Sequence, residues 1–314
     1  MKCRIIAFAC LMIAGTAAAQ QPIINKPDSL NAKMDSTVGQ VNNSDPHVYD
    51  AQTRITPGNY VSLLISDLKQ EFTKPFHMQP RDWGNLAKYA AVGGALAFFD
   101  GPIQRGATSL IRRNPGAKKF SKTVTDFGGP YEALALAAFG GYGLAFKNEK
   151  MKTTTLLATR AYITGAALVS VVKVLTGRTR PSFYTDDVRA TATFLGPFSS
   201  KAGKDNSSFP SGHTTVAFAV ATVFALEYSN KPWVPIVAYS SATLVGLSRI
   251  SENKHWATDV FAGAVVGFLA GRIVVKNYHR FAKLKADERK KAKPVSFHLQ
   301  YNNGQLMPGL TWYF

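Results

Sequence analysis

Three separated groups of residues in this 314-residue chain could act together on phosphate. The first is Lys173-x6-Arg180-Pro181. The second is Pro210-Ser211-Gly212-His213. The third is Ser248-Arg249-x5-His255-x3-Asp259. Displacing a phosphoryl group asks a protein mainly for positioning and for stabilisation of charge on three equatorial oxygens. Lys173, Arg180 and Arg249 supply three cations, and the arginines can pair with oxygens in bidentate fashion. Ser211 and Gly212 precede an uncharged run, Thr214 to Leu226, that reads as a helix. N–H groups at a helix start bind anions, and Gly212 lets the backbone come close.

His255 and Asp259 stand four residues apart, on one face of a helix. Asp259 is expected to accept the proton of one ring nitrogen and leave the other free to attack phosphorus. His213 is expected to protonate the leaving oxygen as general acid. The intermediate is then a phosphohistidine, hydrolysed by water. No metal and no cofactor are called for. An Arg-Pro or a Ser-Gly-His alone would mean little, and a His-Asp pair at this spacing is commonly a surface pair. The set of three, in this order, is the informative pattern.

These motifs resemble those of the type 2 phosphatidic acid phosphatase superfamily, over roughly Leu156 to Val275. The superfamily includes bacterial acid phosphatases, lipid phosphatases and vanadium haloperoxidases. The resemblance implies an all-α fold with a six-helix core. It implies a site of Lys173, Arg180, Ser211, Gly212, His213, Arg249, His255 and Asp259, with His255 as nucleophile, His213 as acid and Asp259 as orienter. Under the phosphatase reading vanadate is an inhibitor. Under the haloperoxidase alternative it is the cofactor, on the same histidine. A non-enzymatic envelope binding protein is the third reading, and it would be marked by a lost His or Asp.

The elements that position these motifs follow from periodicity. Asn59–Phe76 reads as an amphipathic helix, with Val61, Leu64, Ile65, Leu68 and Phe72 at helical spacing. Helices are expected near Trp83–Phe99, Tyr131–Lys147, Lys150–Leu175, Thr214–Tyr228, Val234–Leu247 and Ala257–Lys276. Pro181 disfavours helix at Arg180, so the Lys173 helix ends there. The stretch Phe183–Ser208 is expected to be a long loop bordering the site. Val295, Phe297, Leu299 and Tyr301 alternate with polar residues, and Asn303-Gly304 is a hairpin signal before Leu310, Trp312 and Phe314. The organisation expected is a signal peptide over 1–19, a polar segment over 20–58, a phosphatase domain over 59–293 and a β-hairpin over 294–314.

Composition bounds the partners. The formal net charge is +18, or +16 without Lys2 and Arg4. Basic residues gather in Arg105–Lys122 and Arg272–Lys293. Such a surface suits anionic partners: a phosphorylated lipid or small phosphate ester, and an anionic membrane. Nucleic acid is disfavoured, because no stacking aromatics are interleaved with the basic clusters. A homo-oligomer stays open. Both cysteines, Cys3 and Cys10, fall in the signal segment. The uncharged runs are short for membrane spans, Arg160 interrupts one of them, and the mean hydropathy is −0.05. This favours an exported protein, periplasmic or peripheral on the envelope. The alternative is an integral inner-membrane enzyme with a periplasm-facing site.

Overall fold

The computed structural model describes residues 54–184, 191–197, 206–291, 295–302 and 305–312. The expected signal peptide and residues 20–53 of the expected polar segment lie outside the described residues. The fold is mostly α-helical. The helices are α1 Pro57–Thr73, α2 Pro80–Ala97, α3 Asp100–Arg113, α4 Pro115–Phe127, α5 Pro130–Ala145, α6 Glu149–Thr176, α7 Gly212–Glu227, α8 Trp233–Ser251 and α9 Ala257–Lys291. Antiparallel strands β1 Val295–Asn302 and β2 Gln305–Trp312 follow, with Val295 opposite Trp312 and Asn302 opposite Gln305.

Local chemistry sets the helix ends. Proline opens α1, α2, α4 and α5, where its missing N–H costs nothing. Thr56, Asn114 and Asn148 cap α1, α4 and α6, each accepting a backbone N–H with its side-chain oxygen. Gly177 closes α6 in the left-handed region, φ +56°, and its N–H donates to Lys173 O at 3.0 Å.

The apolar, buried helix α7 is the centre of the bundle, with α6, α8 and α9 packed around it. Leu157, Ala219, Val223, Val274 and Tyr278 form its fully buried core with α6 and α9. Gly263, Gly267 and Gly271 form a stripe on α9 that presses on the α7 backbone. A Cβ at Gly267 would lie 2.2 Å from Thr215 O and 2.9 Å from Ala219 N. Backbone cannot give way as a side chain can, so the helices would have to part. Gly267→Ala is expected to cost about 3 kcal/mol, the upper range for overpacking. Thermal unfolding of the purified variant checks this, and a wild-type midpoint would contradict it.

The structure departs from the sequence reading in two places. The Arg105–Lys122 stretch, read only as a basic cluster with no helix expected, lies in helices α3 and α4. Its polar composition concealed two short helices that break at Asn114-Pro115. Helix α1 turns its apolar stripe the other way. Val61, Ile65 and Phe72 face outward, with Ile65 60% exposed, while Leu63, Asp67 and Glu71 are buried. The cause is ionic. Arg160 Nε donates to Asp67 Oδ2 at 2.8 Å, Nη2 of the same arginine donates to the same oxygen, and Asn277 Nδ2 donates to Asp67 Oδ1 at 2.7 Å. Arg160, which interrupts an apolar run in the sequence, is wholly buried and paired.

Candidate active site

The site sits where the C-terminal end of α6 meets the N-termini of α7 and α9. Lys173 lies in the last turn of α6. Arg180 follows in extended backbone, φ −79° and ψ 150°, immediately before Pro181. Lys173 Nζ donates to Ser207 O at 2.7 Å, and Arg180 Nη2 donates to Ser207 Oγ at 3.0 Å. One short segment therefore holds both cations.

Ser211 is the N-cap of α7 and is wholly buried. Its N–H donates to Asp259 O at 3.0 Å, and Thr214 Oγ1 donates to Ser211 Oγ at 2.8 Å. Gly212 faces Lys173: a Cβ there would lie 3.9 Å from Lys173 Cε. The second motif thus lies beside the first at Lys173 and is hydrogen-bonded to the third at Asp259.

Arg249 lies in the last turn of α8. Its Nη1 donates to Glu252 Oε2 at 2.9 Å and to Thr125 Oγ1 at 3.3 Å. The charges of Arg249, Lys173 and Arg180 all act on His213, and those of Lys173 and Arg180 also act on His255. His213 opens α7 beside the α4–α5 junction, where a Cβ on Gly129 would lie 3.7 Å from His213 Nε2.

His255 stands just before α9 and is 2% exposed. Its Nδ1 is 2.8 Å from the carbonyl oxygen of Ser208 and 3.6 Å from Asp259 Oδ2. A carbonyl only accepts, so Nδ1 carries the hydrogen and Nε2 keeps its lone pair. Burial pushes the His255 imidazole down to about 4, which leaves it neutral near pH 7. The spacing assigned the tautomer to Asp259. The geometry gives the direct hydrogen bond to the Ser208 backbone and sets Asp259 behind it. Asp259, wholly buried, accepts from Arg178 Nη1, from Ser208 Oγ and, at 2.8 Å, from Trp256 N.

All eight residues read from the sequence therefore lie around one junction. Sequence reasoning missed Arg178, Ser207, Ser208, Thr125 and Glu252. Arg178 was visible as an extra cation inside the Lys173-x6-Arg180 gap, and Ser207-Ser208 stands one residue, Phe209, before the second motif. Thr125 has no signal, because it arrives from a helix that the sequence concealed. Among the described residues, no group of three or more His, Cys, Asp or Glu side chains gathers in a way that could hold a metal ion.

Residues 154–283 match the sequence model of the PAP2 superfamily. They form a PAP2 domain. The eight site residues all lie within it, whereas Thr125 comes from outside. Lipid A 1-phosphatase of Porphyromonas gingivalis is 51% identical over 72 residues, which are 23% of this chain and 16% of its own length. Lipid phosphate phosphatase 1 of Arabidopsis thaliana is 32% identical over 137 residues, 37% of this chain and 42% of its own. Lipid A 1-phosphatase of Rhizobium etli is 28% identical over 191 residues, 56% of this chain and 76% of its own. The chain thus spans less than half the length of the first two of these relatives.

Proposed function

We propose that this chain is a phosphatase of a membrane lipid, removing a phosphate ester from a saccharolipid of the lipid A type through a phosphohistidine. The observation that carries the reaction class is the meeting of three cations and two histidines at the N-terminus of α7. The names of two relatives support the substrate class. Nothing in the site favours vanadate as a resident group over phosphate as a passing one, and all three relatives are named as phosphatases.

In the proposed reaction Lys173, Arg180 and Arg249 turn from their protein partners to the phosphoryl oxygens. The N–H groups at the start of α7 add to that cradle. His255 Nε2 attacks phosphorus as the bond to the lipid oxygen breaks. His213 gives that oxygen a proton, and the alcohol leaves. His213 then takes a proton from water, whose oxygen attacks phosphorus and breaks the N–P bond. Inorganic phosphate departs and His213 is protonated again. The negative charge of the bound substrate favours the imidazolium that this acid step needs.

The surface supports placement within a membrane over the peripheral location expected from the sequence. Helices α6 and α9 are long and apolar enough to cross one, and only 39% of the most apolar stretch of α6 is buried by the rest of the protein. Leu144 is exposed on α5, Trp233 and Ile236 on α8, and Phe98 and Phe146 at the α2–α3 and α5–α6 junctions, Phe98 at 84%. Outward apolar residues and inward carboxylates on α1 fit a lipid surround, since ionisable residues in membranes face the bundle and pair there. Lys150 and Lys152 open α6, and Arg272, Lys276, Arg280 and Lys283 lie far along α9. Both groups lie at the ends of their helices away from the site. By the positive-inside rule this charge pattern supports a site on the outer, periplasmic face.

The test is phosphate release by carbonate-washed membranes containing the protein. The panel is lipid A, phosphatidic acid, phosphatidylglycerol phosphate, undecaprenyl pyrophosphate and p-nitrophenyl phosphate. Fastest release from lipid A by the washed pellet supports the reading. Preference for another lipid overturns the substrate class, activity only in the wash overturns the placement, and no release at all overturns the function.

Two further outcomes follow from the chemistry. Three side-chain cations already neutralise the phosphoryl oxygens, so activity should survive EDTA, and vanadate should inhibit by filling the same pocket. Loss in EDTA that returns with Mg²⁺ would contradict this. His213→Ala should slow alkyl phosphates about 100-fold more than p-nitrophenyl phosphate, whose leaving group needs little protonation. Equal losses on both substrates would show that His213 positions phosphate and does not act as the acid.

A further inference from the structure

The geometry points to Asp100 and Arg178 as positioning residues for the nucleophile, with Asp100 supplied from outside the PAP2 domain. Asp100 opens α3, and its side chain is 5% exposed. It reaches across to the first turn of α9. Thr258 N donates to Asp100 Oδ1 at 2.9 Å, and Thr258 Oγ1 donates to Asp100 Oδ2 at 2.5 Å. Arg178 Nη2 donates to Asp100 Oδ2 at 2.8 Å. The other arm of Arg178, Nη1, donates to Thr258 Oγ1 at 2.6 Å and to Asp259 Oδ1. One guanidinium thus ties two buried carboxylates together, and one of them stands behind His255.

Arg178 is held in place by aromatic rings on its other sides. Its guanidinium carbon lies 5.0 Å from the Phe194 ring centre, 5.8 Å from Phe209 and 5.9 Å from Trp256. Both Nη groups are committed to this network, so Arg178 is not a fourth phosphate ligand. Its charge is spent on orientation.

A helix start needs only a local cap. Here the cap on Thr258 comes from a residue 158 positions away, and it is linked through Arg178 to the carboxylate beside the nucleophile. Burying two carboxylates and a guanidinium carries a desolvation penalty that well-packed apolar side chains would avoid. Such an arrangement fits a demand for fixed direction. Asp259 cannot rotate away from Ser208 and Trp256 while Arg178 holds it, and Ser208 O holds His255 Nδ1. His255 Nε2 is thereby aimed.

This inference rests on the phosphatase reading and is tested through the chemical step. Asp100→Asn keeps the volume and removes the charge that anchors Arg178. A displacement of a reacting group by about 1 Å costs on the order of 100-fold. Asp100→Asn is therefore expected to lower kcat per active site about 100-fold, with KM within about twofold, and to slow formation of the phosphoenzyme by the same factor. A purely structural role would reduce the number of active sites and leave kcat per site unchanged, which would overturn the inference. Should Asp100→Asn fail to fold, Arg178→Lys gives the second test. A single ammonium cannot hold both carboxylates in the same way, so the same drop in kcat at constant KM is expected, and full kcat per site would overturn the inference. If the unaltered chain releases no phosphate from any lipid of the panel, the phosphatase reading falls and this inference with it. If the unaltered chain is active and both variants keep their kcat, only this inference falls.

Discussion

Replacing His255 by alanine is expected to abolish turnover, lowering kcat by about 10⁵-fold, the scale on which enzymes lose their nucleophile. The imidazole is buried, neutral and fixed in one tautomer by Ser208 O, with Nε2 left to attack. No neighbouring group can replace it. His213 is the other imidazole at the site, and it is set at the start of α7 for the leaving oxygen. Asp259 is covered by Arg178, Ser208 and Trp256. KM should change little, because Lys173, Arg180, Arg249 and the α7 N-terminus remain. Phosphate release from lipid and from p-nitrophenyl phosphate measures this. A His255→Ala enzyme with a tenth of normal turnover would remove His255 from the nucleophile's role.

Asp259→Asn is expected to cost about 10⁴-fold in kcat, by analogy with the carboxylates that orient histidines elsewhere. The groups hydrogen-bonded to the Asp259 carboxylate are all donors: Arg178 Nη1, Ser208 Oγ and Trp256 N. An asparagine offers one acceptor and one donor group in their place. Its NH₂ must face at least one of these donors in a fully buried position, where an unsatisfied polar group is expensive. Relief comes by moving Ser208 or Trp256, and either movement turns His255. The negative charge that would balance a phosphorylated imidazole is lost as well. Steady-state kinetics on a folded variant checks this. A loss of tenfold or less would show that Ser208 O alone orients the nucleophile.

The site was legible in the sequence because its chemistry fixes residue types and short spacings. Lys173 and Arg180 are one helix end and one extended turn apart. Ser211, Gly212 and His213 make a helix start. The spacing puts His255 and Asp259 on one helix face, but His255 stands just before α9 and only Asp259 lies in its first turn. What was not legible is how the three motifs hold one another. Ser208 O is a backbone atom, which no residue type reveals. Asp100 reaches Thr258 across 158 positions, and no local pattern encodes such a pairing.

The helices divide in the same way. Apolar segments such as α7 announced themselves. Helices α3 and α4 did not, because their polar residues resemble a loop when read one at a time. The periodicity of α1 identified the helix but could not say which face turns inward. Asp67, met by Arg160 and Asn277, decides that. The same pairing bears on the mean hydropathy of −0.05. Charges such as Arg160 lower the average while lying inside the bundle.

The most direct measurement is a rapid quench of the unaltered enzyme in alkaline detergent, where a phosphorylated imidazole is stable, followed by mapping of the bound phosphate. A burst of enzyme-bound phosphate on His255, approaching one per active site and absent from His255→Ala, is the predicted result. Phosphate on another residue, or steady turnover with no bound phosphate at any time, would contradict the account.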